Sequence, residues 1–127
     1  GVGSQLTSHP DVDMVSFTGS TRAGILVAQA AAPTVKRVTQ ELGGKSPNII
    51  FDDADLESAV SGGVMRMMSN TGQSCNAPSR LLVHSSLYHQ AVKIAKQATE
   101  RVVAAHPTTQ RRHIVHLPSH VQLERLK

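Results

Sequence analysis

Cys75 is the only cysteine among 127 residues, and it stands in Asn70-Thr71-Gly72-Gln73-Ser74-Cys75-Asn76-Ala77-Pro78-Ser79-Arg80. Upstream of it, Glu41 opens the stretch Glu41-Leu42-Gly43-Gly44-Lys45-Ser46-Pro47. A thiolate attacks carbonyl carbon, and a carboxylate can draw a proton from water. Together they support a covalent route in which sulfur captures an acyl group and activated water releases it. The paired glycines after Glu41 leave the backbone free to re-aim its carboxylate. Each residue also has a plain structural reading. A lone cysteine is usually a small buried hydrophobe, and a glutamate at a strand end is usually a surface group. The motif around Cys75 turns the balance toward chemistry.

A third segment, Phe17-Thr18-Gly19-Ser20-Thr21-Arg22-Ala23-Gly24, follows a strand-like run and opens a helix-like one. A pyrophosphate can use the free N–H groups and the dipole at such a helix start. The segment lacks the G-x-G-x-x-G of ordinary dinucleotide folds. Ser20 is the best placed for a phosphate contact, although a serine before an apolar helix is most often simply its cap.

These three segments, in this order and at this spacing, resemble the NAD(P)-dependent aldehyde dehydrogenase superfamily from Asp11 to about Val103. The resemblance implies an α/β fold made of two partial domains. Residues 1–42 would be the C-terminal part of a Rossmann-like cofactor-binding domain, and residues 43–127 the N-terminal part of an incomplete catalytic domain. It implies an oxidoreductase that takes a small aldehyde to a carboxylate with NAD or NADP. In that scheme Cys75 forms a thiohemiacetal and then a thioester, which Glu41 helps water to hydrolyse. Gly19, Ser20 and Gly24 would meet the cofactor, with Leu42 and Gly43 near its nicotinamide ring. The Cys75 backbone N–H would be one oxyanion donor, and an asparagine upstream of this chain the other. Lys45, Asn48 and Arg80 also match and read as structural. Family members run to several hundred residues and work as homo-oligomers, so the chain reads as an internal fragment. The alternative, from another class, is a non-catalytic remnant of such an enzyme.

Composition narrows the setting. The aromatic residues are Phe17, Phe51 and Tyr88, few large side chains for a core. No apolar run approaches the roughly 20 residues of a membrane span, so no membrane partner is expected. One cysteine excludes an intrachain disulfide, which fits a reducing, cytoplasmic setting. The net charge of +4 is uneven. Residues 1–80 carry six Lys/Arg against seven Asp/Glu, and residues 81–127 carry seven against two. Tyr88 is the only aromatic in the basic half, so stacking platforms for single-stranded nucleic acid are absent and a solvated basic face is the better reading.

Helical and strand-like stretches alternate. Val2–Thr7 reads as a helix end, Val12–Phe17 as a strand, and Ser20 or Thr21 caps a helix that stops before Pro33. Val35–Glu41 and Pro47–Phe51 read as strands, with Ile49-Ile50-Phe51 as a continuous apolar run typical of a buried position. Asp52-Asp53-Ala54-Asp55 starts a helix where carboxylates suit the dipole. Val60, Val64, Met67 and Met68 fall on its inner side, and Met65, Met67 and Met68 read as core packing. Arg80–His84 returns as a strand, and Leu87–Val103 as the longest helix, with Val92, Ala95, Ala98 and Val102 on one apolar face. The alternation predicts an α/β architecture with a largely parallel sheet.

The tail gathers His106, His113, His116 and His120, and a metal- or anion-binding module is the third reading. Pro118 interrupts the helix such a site would need, and no cysteine or acidic ligand accompanies the histidines. We expect no metal site.

Overall fold

The computed structural model describes residues 1–106, 108 and 119–126. They fall into two compact units, Gly1–Gly44 and Lys45–Lys127.

In the first unit, α1 (Val2–Ser8) leads to β1 (Met14–Gly19), α2 (Thr21–Ala31) and β2 (Arg37–Leu42). Pro33 ends α2 by diverting the chain into a short 3-10 turn, Ala32–Thr34. Val35 then takes a left-handed conformation at φ 53°, so the strand begins two residues later than its β-branched start implies. β1 likewise begins at Met14 rather than Val12. The two strands pair in parallel, with Thr18 opposite Glu41 and Gly19 opposite Leu42. α2 is the crossover that returns the chain for parallel pairing; it packs against both strands and against α1.

Ser20 caps α2, its hydroxyl oxygen accepting the Ala23 N–H at 3.3 Å. Gly24 lies one turn in and is buried because β2 comes so close. A Cβ there would meet the Leu42 methyl carbon at 2.7 Å, and the Gln40 amide donates to the Gly24 carbonyl at 2.6 Å.

In the second unit, β3 (Pro47–Ile50) is followed by α3 (Leu56–Met68), β4 (Arg80–Val83), α4 (Tyr88–Glu100) and α5 (His120–Leu126). β3 and β4 pair in parallel, Ile50 opposite Val83. Asp55 caps α3 by accepting the Ser58 N–H at 3.2 Å, which identifies the last carboxylate of the acidic run as the structural one. The core is Ile50, Leu56, Val60, Ala91 and Ile94, where α3 and α4 pack together.

Burial departs from the sequence expectation in three places. The run Ile49-Ile50-Phe51 is not covered on both faces: Ile50 is 3% exposed, whereas Ile49 is 57% and Phe51 66% exposed. Helices cover only one face of the β3–β4 pair, and alternation along the strand turns Ile49 and Phe51 to the other. On α4 the buried stripe is Ala91, Ile94 and Ala98, while Val92 is 50% exposed. That stripe faces α3, and it lies one residue off the valine-led face expected from the sequence. The methionines are peripheral to the core. Met67 and Met68 are half-buried and Met65 is exposed.

The packing ranks two valines. Val60→Ala removes two methyl groups from a fully buried side chain and is expected to cost about 2–3 kcal/mol. Val92→Ala is expected to stay within about 0.5 kcal/mol. Urea unfolding followed by circular dichroism measures both, and the reverse order would put the Val92 face inward.

Candidate active site

Cys75 sits at the crest of a β-turn. The Ala77 N–H donates to the Ser74 carbonyl at 3.1 Å, placing Cys75 and Asn76 at the two central positions. The thiol is exposed, which sets aside the buried-hydrophobe reading. The Cys75 backbone N–H has no hydrogen-bond partner among the described residues. It is therefore available to an oxygen on an atom bonded to Sγ.

What precedes the turn is unusual backbone. Asn70, Thr71 and Gly72 all have positive φ, at 51°, 59° and 72°. Glycine adopts that region freely and asparagine tolerates it, but a β-branched threonine is a true outlier there. Such a residue costs of order 1–3 kcal/mol and persists only where its surroundings hold it. Here Asn70 and Gln73 close on each other. The Gln73 N–H donates to the Asn70 carbonyl at 3.1 Å, and the Asn70 side-chain amide donates to the Gln73 carbonyl at 3.1 Å. The Gln73 amide adds a longer bond to the Asn70 carbonyl at 3.5 Å.

After the turn the chain is anchored twice. Ala77 is buried. Arg80 donates its backbone N–H to the Ser46 carbonyl at 3.2 Å and its Nε–H to the Lys45 carbonyl at 2.8 Å. The structural reading of Lys45, Asn48 and Arg80 fits these contacts, with the Asn48 amide lying against Gly63.

Glu41 lies near the end of β2 and is exposed. Alternation puts Gln40 and Leu42 on the α2 side, so the Glu41 side chain leaves the strand on the opposite face. No ion pair engages its carboxylate among the described residues. Glu41 belongs to the first unit and Cys75 to the second, and each is placed within its own unit.

The other expected site residues fall at the end of the β1–β2 pair. Gly19 ends β1 beneath the Phe17 ring, Ser20 is the α2 cap, Gly24 is the close-approach glycine, and Leu42 and Gly43 lie at and just past the end of β2. In the first turn of α2 the Ala23 N–H is taken by the Ser20 hydroxyl, which leaves the Thr21 and Arg22 N–H groups without a partner among the described residues. That donor set fits a phosphate: the Ser20 oxygen is used in capping, but its O–H remains a donor. Sequence reasoning missed Asn70 and Thr71. The Asn-x-Gly spacing was the available signal for a left-handed turn, and the threonine inside it obscured that signal. Of the tail histidines, His113 and His116 lie outside the described residues. Among the described residues no group of three or more His, Cys, Asp or Glu is placed to hold a metal ion, and no helix is long and apolar enough to cross a membrane.

The model of the aldehyde dehydrogenase family matches residues 1–127. The chain belongs to that family. It is 57% identical over 127 residues to a 3-succinoylsemialdehyde-pyridine dehydrogenase of a Pseudomonas species, covering all of this chain and 27% of that one. It is 42% identical over 125 residues to a betaine aldehyde dehydrogenase of Vibrio vulnificus, covering 98% and 26%. Among solved structures, aldehyde dehydrogenase C of Pseudomonas syringae, a cysteine-to-alanine mutant with NAD+ and octanal, is 48% identical with a TM-score of 0.91, covering 98% of this chain and 26% of that one. A betaine aldehyde dehydrogenase of Staphylococcus aureus in complex with NAD+ is 33% identical with a TM-score of 0.90, covering 98% and 25%. The aldehyde dehydrogenase fold therefore covers this chain, which spans about a quarter of the length of the relatives it matches.

The turn before Cys75 gives a stability test. Asn70→Gly keeps left-handed freedom and loses the side-chain bond, for a cost of about 1 kcal/mol. Asn70→Ala loses both and is expected to cost about 2 kcal/mol or more. Thermal unfolding of the two variants should rank them in that order, and an alanine variant as stable as the glycine one would mean that the amide alone holds the turn.

Proposed function

We propose that this segment carries the nucleophile and the hydrolytic base of an enzyme that oxidises a small aldehyde to its carboxylate with NAD or NADP. The observation that carries the reading is Cys75: an exposed thiol on a turn crest, with its own N–H unpartnered, inside a family segment. In this reading Gly1–Gly44 would contribute to the cofactor domain and Lys45–Lys127 to the catalytic domain.

In the proposed reaction Cys75 Sγ bonds to the aldehyde carbon and the thiol proton leaves to solvent. The carbonyl oxygen takes up the π electrons and is met by the Cys75 N–H, a preorganised donor where charge develops. NAD(P), when bound, supplies the acceptor for the hydride lost from that carbon. Cys75 then holds the acyl group as a thioester. Glu41 takes a proton from water as its oxygen attacks the acyl carbon, the C–S bond breaks, and the acid departs with the thiolate restored. Ser20 O–H and the Thr21 and Arg22 N–H groups would hold a cofactor phosphate, and Gly24 lets Leu42 lie close beneath that end of the strands. A cytoplasmic homo-oligomer is the setting we assign, on the free thiol and the family resemblance.

The parent activity is tested in a protein of family length carrying this segment. Cys75→Ala is expected to abolish aldehyde-dependent NADH formation. Glu41→Gln should still acylate, giving a burst of about one NADH per site and then turnover reduced at least a hundredfold. A Cys75→Ala protein with unchanged steady-state rate would remove the thiol from the mechanism, and a Glu41→Gln protein with unchanged turnover would remove the base. The non-catalytic alternative wins if the unaltered protein forms no NADH with any aldehyde while NAD+ binds.

The 127-residue chain by itself is expected to give no NADH above its own Cys75→Ala control. Loss of a single oxyanion donor typically costs about a hundred- to a thousandfold, and the side-chain donor implied by the family resemblance is not in this sequence. Cys75-dependent NADH formation by the purified chain would show that these residues suffice.

A further inference from the structure

A cleft of about 440 Å3 lies within the second unit, between the start of β3, one side of α3 and the segment after Cys75. Its polar lining includes Asn48, Ser58, Arg66 and Asn76, and its apolar walls include Ala59 and Pro78. None of those four polar side chains forms a hydrogen bond or ion pair with a described residue. No carboxylate lines the cleft.

Arg66 is in the last turn of α3, where a cation suits the carbonyl end of the dipole. That accounts for a positive charge on the helix. Ser58, Arg66 and Asn76 are exposed and Asn48 is half-buried, so all four can turn to a solute in the cleft. The amide of Asn48 lies so close to Gly63 that a Cβ there would collide with it, which narrows the wall on that side. The lining is thus rich in donors: a guanidinium, two amide groups and a hydroxyl. Their complement is an anion. A planar guanidinium matches a carboxylate with two parallel bonds, and the apolar walls suit a short carbon chain. The size falls within the roughly 300–1,000 Å3 of small-molecule sites.

We propose that this cleft binds a small organic carboxylate, its two oxygens on Arg66, its polar rim met by Asn48 and Asn76, and its carbon chain along Ala59 and Pro78. The assignment does not depend on Cys75 being a nucleophile, and its test reads binding rather than turnover.

The test titrates the 127-residue chain with sodium butanoate and follows the side-chain amide signals of Asn48 and Asn76 by NMR. Saturable shifts are expected, with affinity at least tenfold weaker in Arg66→Gln and an intermediate loss in Arg66→Lys, which keeps the charge without the fork. Butanamide, of the same shape but uncharged, should bind at least tenfold more weakly. Arg66 is exposed on its helix, so circular dichroism of the variants should match the parent chain, and Asn76→Ala provides a second weakening that leaves α3 untouched. No saturable response, equal binding of butanamide, or unchanged affinity in Arg66→Gln would overturn the proposal. Inorganic phosphate binding more tightly than butanoate would overturn the carboxylate assignment. In a protein of family length, retained butanoate binding supports a free acid as the ligand. Loss of binding only there would show that the cleft is covered in that protein and overturn the small-acid ligand.

Discussion

The segment carrying Cys75 is held at its far end by one residue. Arg80 begins β4, stands opposite Pro47 in the register, and bonds both the Lys45 and the Ser46 carbonyls. Pro47 has no N–H to offer, which suits the first residue of a strand, so the start of the pair relies on what Arg80 donates. The guanidinium bond is charge-assisted and belongs to the class worth about 1.5–3 kcal/mol. It fixes where β4 begins, and so where the loop before it must end. With Ala77 buried three residues earlier, the turn that lifts Cys75 has little freedom left. The left-handed run from Asn70 to Gly72 supplies the reversal at the other end. The exposed thiol is thus the crest of a constrained arch, which is what attack along a fixed line requires.

The fold is two repeats of one arrangement: a parallel strand pair with a helix as the crossover between its strands. Parallel pairs normally have both faces covered. In the second unit α3 and α4 cover the face that includes Ile50, while Ile49, Phe51 and Leu82 remain exposed. Register explains why these form one patch, because Ile49 and Leu82 are direct partners and Phe51 follows two residues along the same face. An exposed apolar strand face is an aggregation liability. The aliphatic run in the sequence records a demand for cover on both sides that the described residues meet on one.

Much of the architecture was legible because its signals are local. Pro33 ended a helix, Ser20 and Asp55 capped two others, and Gly43-Gly44 closed a strand, each through a backbone property that does not depend on tertiary contacts. Burial was less legible because it depends on the partner. Along α4, Val92 is more apolar than Ala91, so periodicity favours the valine face, yet close packing against α3 selects Ala91, Ile94 and Ala98. The strands start late although β-branched Val12 and Val35 favour extended backbone: Val35 is left-handed after the 3-10 turn, and pairing begins only with Met14 opposite Arg37. Of the site residues, Cys75 and Glu41 carried motif signals. The clamp formed by Asn70 and Gln73 carried only the Asn-x-Gly spacing, and the threonine inside it gives no sign that it will accept a left-handed conformation.

The orientation of Glu41 rests on a contact made by its neighbours. On a strand, adjacent side chains must leave on opposite faces, and a one-residue slip exchanges them. Two interactions forbid the slip here. Leu42 fits against Gly24, where any side chain would intrude, and Gln40 reaches the Gly24 carbonyl from the same side of β2. Both fix the even-numbered positions toward α2, so Glu41 must point away from the helix. Gly24 stands in the segment whose helix start suits a phosphate, and Glu41 is the proposed base. One small residue therefore bears on both proposed roles. By allowing α2 to lie close to β2 it sets the helix end where a cofactor would be held, and it sets the face from which the carboxylate projects. A bulkier residue there would displace Leu42 or lift the helix, and either change would disturb both functions at once.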